Sequence, residues 1–310
     1  MMKNDADWDV IIIGAGPAGL TAGIYVMRRG LRLLALEARF PGGRVVEAPL
    51  VENYPGFPEG ISGDDLAKKM ITQFERFGGK ITFEEVTSLS LNDEIKTIIT
   101  RRGKYTAKAV IIAVGAQRRL LLKLGEKKFI GRGVSYCALC DGPLFRGENV
   151  AVIGSEDEAF EDALFLTNIA SKVFLVSKEM EPSATSLLIK KFEKKENTEI
   201  LKGYDVVAIE GAQFVSSLKV KKLTDGEIRE LQIKAAFIAV GVVPVTEIIK
   251  KAGVEADDRG FIKVDRRQKT NLDGVFAAGE CTGGGMQIST TVGEGAMAAI
   301  SAFKISNKDS

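Results

Sequence analysis

The sequence predicts an α/β protein of two Rossmann-like nucleotide-binding domains, the second and smaller one inserted into the first. Two observations carry this. A strand, glycine turn, helix and strand run through residues 8–37, and the same order restarts at residues 149–176. Length agrees, since 310 residues suffice for two separate cores.

Residues 8–13 are a β-branched strand. Gly14-Ala15-Gly16-Pro17-Ala18-Gly19 follows as the turn, then a helix to about Arg29 and a second strand over residues 31–36 ending at Glu37. Gly14 makes the tight turn, Gly16 lets the backbone approach a pyrophosphate, and Gly19 lets the helix pack on the strand. The helix N-terminus stabilises phosphate charge, and Glu37 is placed to accept ribose hydroxyls. The whole set predicts a bound dinucleotide. Gly42-Gly43-Arg44 and Glu52-Asn53-Tyr54-Pro55-Gly56 read as loops, and residues 63–77 as a helix. Residues 80–90, 96–100 and 104–107 read as an antiparallel accessory sheet. Residues 110–114 form an apolar strand that stops at Gly115 and returns to the first sheet.

The second pattern has a strand at 149–153, the turn Gly154-Ser155-Glu156-Asp157-Glu158-Ala159, a helix to about Ile169 and a strand at 173–176. Short strands follow near 206–210 and 217–223, and an apolar run at 237–240 leads to Gly241-Val242-Val243-Pro244. A strand at 274–278, Gly279-Glu280, a glycine cluster and a helix from about 287 to 303 complete the chain. The expected domains are therefore residues 1–117 with 245–310, and residues 118–244. The crossings near Gln117 and Pro244 would act as a two-strand hinge about which the inserted domain rotates.

A net charge of +2 calls for neither nucleic acid nor an anionic membrane. Lys190, Lys191, Lys194 and Lys195 alternate with Glu193 and Glu196, as on a solvated helix face. Residues 1–8 are polar, unlike a signal peptide, and no apolar run reaches the length of a membrane span. Three cysteines with one close pair suit a reducing cytoplasm. The chain has no histidine, so proton transfer falls to carboxyls, thiols, lysines, tyrosines or a cofactor.

The close pair is Cys137-Ala138-Leu139-Cys140, followed directly by Asp141. Thiols at this spacing close a small disulfide ring that exchanges with another disulfide. The other readings are a zinc site and a pair of reduced core cysteines. Zinc wants four Cys or His ligands, and only Cys281 remains to be recruited. Asp141 is the economical acid–base group beside the thiols, or else a turn or cap residue.

These residues together resemble the low-molecular-weight thioredoxin reductases over nearly the whole chain. The likeness rests on GAGPAG at 14–19, GGR at 42–44, ENYPG at 52–56, SYCALCDG at 135–142, and AAGE at 277–280 before Gln287. In detail it looks like the archaeal branch that includes deazaflavin-dependent enzymes. The resemblance implies FAD, a redox disulfide on the inserted domain, a thioredoxin-like partner and a homodimer serving cell redox homeostasis. Carried over by residue, Gly14, Gly16, Pro17, Ala18 and Glu37 hold the adenosine and pyrophosphate. Gly43, Arg44 and Asn53 lie along the flavin, Val86 contacts adenine, and Ala113 and Gly115 flank the cofactor. Gly279, Glu280, Met286, Gln287 and Ile288 meet the ribityl chain and ring, where a helix N-terminus favours anionic reduced flavin. Cys140 faces the flavin, and Cys137 attacks the thioredoxin disulfide.

Two departures matter. The family usually has Asp where Glu280 stands. In the second turn Glu156 replaces the middle glycine, with Asp157 and Glu158 behind it, and residues 177–181 lack the basic cluster that reads the 2′-phosphate of NADPH. Three carboxylates there repel a pyrophosphate. The expectation is thus a thioredoxin-disulfide reductase driven by a reduced soluble donor, a deazaflavin in preference to NADPH. The alternatives are an ordinary NADPH-linked thioredoxin reductase and a non-catalytic FAD-binding redox sensor. A ferredoxin–NADP reductase of similar build would lack the C-x-x-C. A peroxide-system reductase would carry an additional N-terminal disulfide domain.

Overall fold

The structure is a computed structural model describing residues 6–48, 50–244, 247–284 and 287–306. The N-terminal run forms β1 (Trp8–Ile13), α1 (Pro17–Arg28) and β2 (Leu33–Glu37). They are followed by α2 (Gly63–Arg76), β3 (Ile81–Phe83), β4 (Val86–Ser90), β5 (Lys96–Thr100) and β6 (Lys104–Ile112). A short strand β7 (Ala116–Arg118) leads to β8 (Val134–Ser135), α3 (Ala138–Asp141), β9 (Asn149–Ile153), α4 (Asp157–Leu166) and β10 (Lys172–Ser177). Next come α5 (Ser186–Glu193), β11 (Thr198–Lys202), β12 (Tyr204–Gly211), β13 (Val215–Lys222), β14 (Ile228–Gln232) and β15 (Ala235–Ile238). The chain then crosses back through β16 (Val242–Pro244), which pairs with β7, to α6 (Glu247–Lys251), β17 (Val275–Ala277) and α7 (Ile288–Ser306). Two compact units result, residues 1–117 with 243–310, and residues 118–242.

The first unit is built on a sheet of order β3-β2-β1-β6-β5-β4, with β17 also paired to β6. Val10, Ile11 and Ile12 are wholly buried. Side chains of this size contribute roughly 1.5–3 kcal/mol each on burial, well above a surface ion pair, so apolar burial holds the sheet. On one face α1 packs against α7 through Ala18, Ala22, Ala298, Ala299 and Ala302. Small residues bring these backbones together: a Cβ on Gly295 would run into the Ala18 carbonyl. The amphipathic α2, capped by Ser62 Oγ accepting the Asp65 N–H at 3.1 Å, buries Leu66, Met70 and Phe74.

The accessory sheet differs from expectation. Residues 80–90 are not one strand: β3 joins the parallel sheet beside β2, while β4 pairs antiparallel with β5. Residues 104–107 and 110–114 are not two strands either. β6 is continuous, pairing antiparallel with β5 in its first half and parallel with β1 and β17 in its second. Its burial shifts from partial to complete along its length, which is why the sequence reads as two segments.

The second unit has a parallel sheet of order β11-β10-β9-β15-β8 and a three-stranded antiparallel sheet β12-β13-β14. One core lies on the α4 and α5 side of the parallel sheet, around Phe160, Leu166, Phe192 and Phe237. A second includes Phe129, Tyr204, Leu218 and Leu231. No helix among the described residues is long and apolar enough to cross a membrane.

Candidate functional site

In the first unit the glycine turn has the stereochemistry its sequence demands. Gly14 has φ +106°, and a Cβ there would strike the Ala113 carbonyl. Its N–H donates to the Leu36 carbonyl at 2.8 Å. Gly16 is the N-cap of α1 with Pro17 at its first position, and no acidic residue occupies the first turn. A Cβ on Gly16 would lie 3.8 Å from Gly43 Cα, and one on Gly43, at φ +62°, would lie 3.2 Å from Gly16 Cα. Two loops thus meet backbone to backbone, and among the described residues no side chain caps the N-terminus of α1. Glu37 at the end of β2 accepts the Ala15 N–H at 2.8 Å through Oε2 and the Arg39 N–H at 2.9 Å through Oε1. The carboxylate is held at the turn.

The C-terminal segment closes on the same region. Arg44 and Glu280 form an ion pair, and Gly115 lies with its would-be Cβ 3.9 Å from Glu280 Oε2. Asn53 Nδ2 donates to Gln287 Oε1 at 3.1 Å, bringing two expected flavin contacts together across the sequence. Gln287 caps α7, its carbonyl accepting the Thr291 N–H at 2.9 Å, and Ile288 begins the helix. Gly279, at φ +83°, sits 3.1 Å by its would-be Cβ from Ala18 Cβ. Met286 lies outside the described residues. Val86 stands on the edge strand β4, half-buried against the core that includes Ile13, Leu36 and Ile98, so its place beside an adenine rests on the resemblance alone.

Sequence reasoning passed over Glu294 on α7. Its carboxylate accepts the Gly279 N–H at 2.6 Å and the Thr282 hydroxyl at 3.4 Å, and burial raises its pKa. A lone acid inside an alanine-rich helix was its only sequence signal. Cys281 is fully buried, its Sγ donating to the carbonyls of Ala278 at 3.4 Å and Ile112 at 3.6 Å. Burial pushes its thiol up to about 12, which makes it inert.

FAD fits this cradle on two observations. The paired glycines keep Cβ atoms away from a helix N-terminus, and Arg44 Nε is buried with no hydrogen-bond partner among the described residues.

In the second unit Cys137 and Cys140 are joined as a disulfide at the start of α3. Cys137 is the helix N-cap, and its Sγ accepts the Cys140 N–H at 3.2 Å. Both cysteines are half-buried, while Leu139 between them is exposed. Asp141 Oδ2 accepts the Ser135 hydroxyl at 2.6 Å, and Ser135 Oγ in turn accepts the Cys137 N–H at 3.1 Å. Ser135 therefore links the carboxylate to the backbone of the cysteine turn, a role the sequence did not reveal. Nearby, the buried Glu126 accepts the Leu121 and Leu122 N–H groups at 2.9 and 2.7 Å and the Tyr136 hydroxyl at 2.9 Å, fixing the approach to Cys137. Among the described residues no cluster of His, Cys, Asp or Glu could hold a metal ion.

The second glycine turn is differently furnished. Glu156 is the N-cap of α4 at φ −93°, and Asp157 and Glu158 fill the first turn. Asp157 Oδ1 accepts the Thr185 N–H at 2.6 Å, and the Ser155 carbonyl accepts the Ala184 N–H at 3.0 Å. The loop before α5 is thereby tied over the turn. Ser177, at the end of β10 where β2 has Glu37, is buried and bonded to the Glu179 backbone.

Comparison with known proteins agrees with these features. Residues 8–295 match the family described as pyridine nucleotide-disulphide oxidoreductase. A thioredoxin reductase of Treponema pallidum is 38% identical over 296 residues, covering 95% of this chain and 96% of its own. The crystal structure of thioredoxin reductase from Streptococcus pyogenes superposes with a TM-score of 0.92 at 35% identity, covering 96% of this chain and 97% of its own. A ferredoxin-flavin thioredoxin reductase from Clostridium acetobutylicum gives a TM-score of 0.52 at 34% identity, with 96% and 97% covered. The chain belongs to the pyridine nucleotide-disulphide oxidoreductase family and, within it, to the enzymes of thioredoxin-reductase type.

Proposed function

We propose that this protein is an FAD-dependent thioredoxin-disulfide reductase. The observation that carries the reading is the Cys137–Cys140 disulfide beside a carboxylate held by Ser135. Gly14, Gly16, Pro17, Ala18 and Glu37 would hold the adenosine diphosphate half of FAD. Gly43, Arg44, Asn53, Ala113, Gly115, Gly279, Glu280, Gln287 and Ile288 would hold the flavin half, with Val86 beside the adenine. FAD would supply a two-electron carrier there. Cys140 would be the sulfur on the flavin side, and Cys137 the thiolate that attacks the disulfide of a thioredoxin-like partner. Asp141 would take the proton from the attacking thiol and return it to the leaving one. Action in the cytoplasm as a homodimer belongs to the same proposal.

The electron donor has two readings. The family's description and the ordinary thioredoxin reductases among the relatives favour a pyridine nucleotide, and they give a deazaflavin no support. The acid-filled turn of α4 favours a donor other than NADPH, either a reduced deazaflavin or a ferredoxin, and one relative is named for ferredoxin. Steady-state reduction of thioredoxin with NADPH, reduced deazaflavin and reduced ferredoxin compared in parallel tests both levels. Saturable turnover with micromolar NADPH selects the first reading, and turnover only with the others selects the second. No turnover with any donor reduces the protein to a non-catalytic flavin-binding redox sensor.

A further inference from the structure

The segment after β17 folds around a carboxylate from α7. Residues 280–282 make a single 3₁₀ turn, with Gly279 before it and Gly283 after it in left-handed conformation, at φ +83° and +73°. The Thr282 N–H donates to the Gly279 carbonyl at 2.9 Å, which closes the turn. The Gly279 N–H donates to Glu294 Oε2 at 2.6 Å. The Thr282 hydroxyl is shared, 2.8 Å from the Gly279 carbonyl and 3.4 Å from the same carboxylate oxygen. Gly284 closes on the other oxygen: a Cβ there would stand 2.3 Å from Glu294 Oε1. One carboxylate thus meets the segment at residues 279, 282 and 284.

The carboxylate is itself placed by the seating of α7. Thr291, Glu294 and Gly295 lie on one stripe by helical spacing. A Cβ on Gly279 would lie 3.3 Å from Thr291 Cγ2, and one on Gly295 would lie 2.2 Å from the Ala18 carbonyl oxygen. The turn is therefore held against α7 where that helix meets the start of α1. What the turn presents is Glu280, paired with Arg44 and beside Gly115.

We propose that Glu294 is a positioning residue for the cofactor cradle: by anchoring Gly279 and Thr282 it sets where Glu280 stands, and through Glu280 where Arg44 stands. The inference rests on the reading of this cradle as the FAD site. A ligand site keeps its shape when the groups that line it are fixed by hydrogen bonds behind them. A carboxylate accepting a backbone N–H is suited to that, being about twice as strong an acceptor as a neutral group. An acid that served the fold alone would move the unfolding midpoint and leave bound flavin as it was.

The test is a double-mutant cycle on the holoenzyme. FAD affinity is read by flavin fluorescence on dilution, and the flavin environment by visible circular dichroism. Glu294→Ala removes the anchor and should weaken FAD binding about tenfold, as for the loss of one hydrogen bond to a charged group, and alter the flavin dichroism. Glu294→Gln keeps an oxygen for the Gly279 N–H and should recover most of the affinity and the wild-type dichroism. Gly284→Ala attacks the same contact from the other side, pushing a methyl group into Oε1, and should weaken FAD binding to a similar degree. Without the carboxylate that methyl group meets only Thr282 Oγ1 at 3.4 Å, an ordinary contact. The double variant should therefore bind FAD no more weakly than Glu294→Ala alone. Wild-type affinity and dichroism in Glu294→Ala, or losses that multiply in the double variant, overturn the proposal. If Glu294→Ala fails to fold, Gly284→Ala decides, and unchanged affinity and dichroism there overturn the proposal equally. A wild-type protein with no affinity for FAD would overturn the proposed function and this inference with it, whereas tight wild-type binding with unmoved variants overturns the inference alone.

Discussion

Both β1 and β9 end in a glycine that the fold itself demands: a Cβ on Gly14 would enter the Ala113 carbonyl, and one on Gly154 the Ala239 carbonyl. One residue pair later the two turns part. The first presents Gly16 against Gly43 with an acid-free helix start, while the second presents Glu156, Asp157 and Glu158. Glu156 has φ −93° and Gly16 φ −78°, so the backbone is compatible with either residue and the difference is chemical. The acids stabilise the positive end of α4 themselves, which a phosphate would otherwise do. The contrast teaches that the first glycine belongs to the fold and the second to the ligand. The second unit keeps the βαβ architecture around a turn filled with acids, and it carries the Cys137–Cys140 disulfide.

The sharpest break in that contrast concerns the cysteines. Cys137→Ser and Cys140→Ser should each abolish thioredoxin reduction while FAD content stays unchanged, and Cys140→Ser should leave Cys137 able to trap thioredoxin as a mixed disulfide. Cys281→Ser, in the unit assigned to flavin, should retain activity because that thiol is buried and inert. Equal inactivity of all three would place the redox pair wrongly.

The next effect comes from moving the acid. Gly16→Glu copies the second turn into the first and should weaken FAD binding by on the order of a thousandfold, since a like charge near 4 Å costs about 4 kcal/mol at a surface-like dielectric. Flavin absorbance of the purified variant reads this directly, and full FAD retention would erase the distinction between the turns. The reverse exchange, Glu156→Gly with Asp157 left to hold Thr185, should tighten pyridine-nucleotide binding by only about tenfold, because Glu156 is exposed and screened. Calorimetric titration with NADPH and NADH would show it. Wild-type binding already tight at micromolar nucleotide would sink the comparison.

The smallest effect is on stability. In the folded protein burial, with Glu158 and Glu161 beside it, raises the Asp162 carboxyl to about 7, above the ordinary carboxylate range, so between about pH 4 and 7 it binds a proton that the unfolded chain has lost. Stability should therefore fall as pH rises through this window, and Asp162→Asn should lack that component. Urea midpoints at pH 5 and pH 8 for both proteins give the difference, and parallel slopes would show that the carboxyl does not titrate as described.

Much of this was legible in residue order. β1, α1, β9 and the start of α4 follow from apolar runs punctuated by glycine and acid. Glu37, Arg44, Asn53, Glu280 and Gln287 could be singled out by resemblance, and the structure joins Arg44 to Glu280 and Asn53 to Gln287. What stayed hidden was set by tertiary contact. β6 pairs with three strands in two senses, which no local period encodes. Ser135, Glu126 and Glu294 carry no motif, and each matters only through a backbone amide or carboxylate brought to it by folding.

The central claim is that electrons leave this protein through Cys137–Cys140 to a thioredoxin. It is tested without reference to the natural donor by reducing the holoenzyme anaerobically with one equivalent of dithionite and mixing it with oxidised thioredoxin. The account predicts that flavin absorbance returns as thioredoxin thiols appear, about two per flavin by the stoichiometry of disulfide reduction, and that the flavin of Cys140→Ser stays reduced. A wild-type flavin that stays reduced beside oxidised thioredoxin would contradict it.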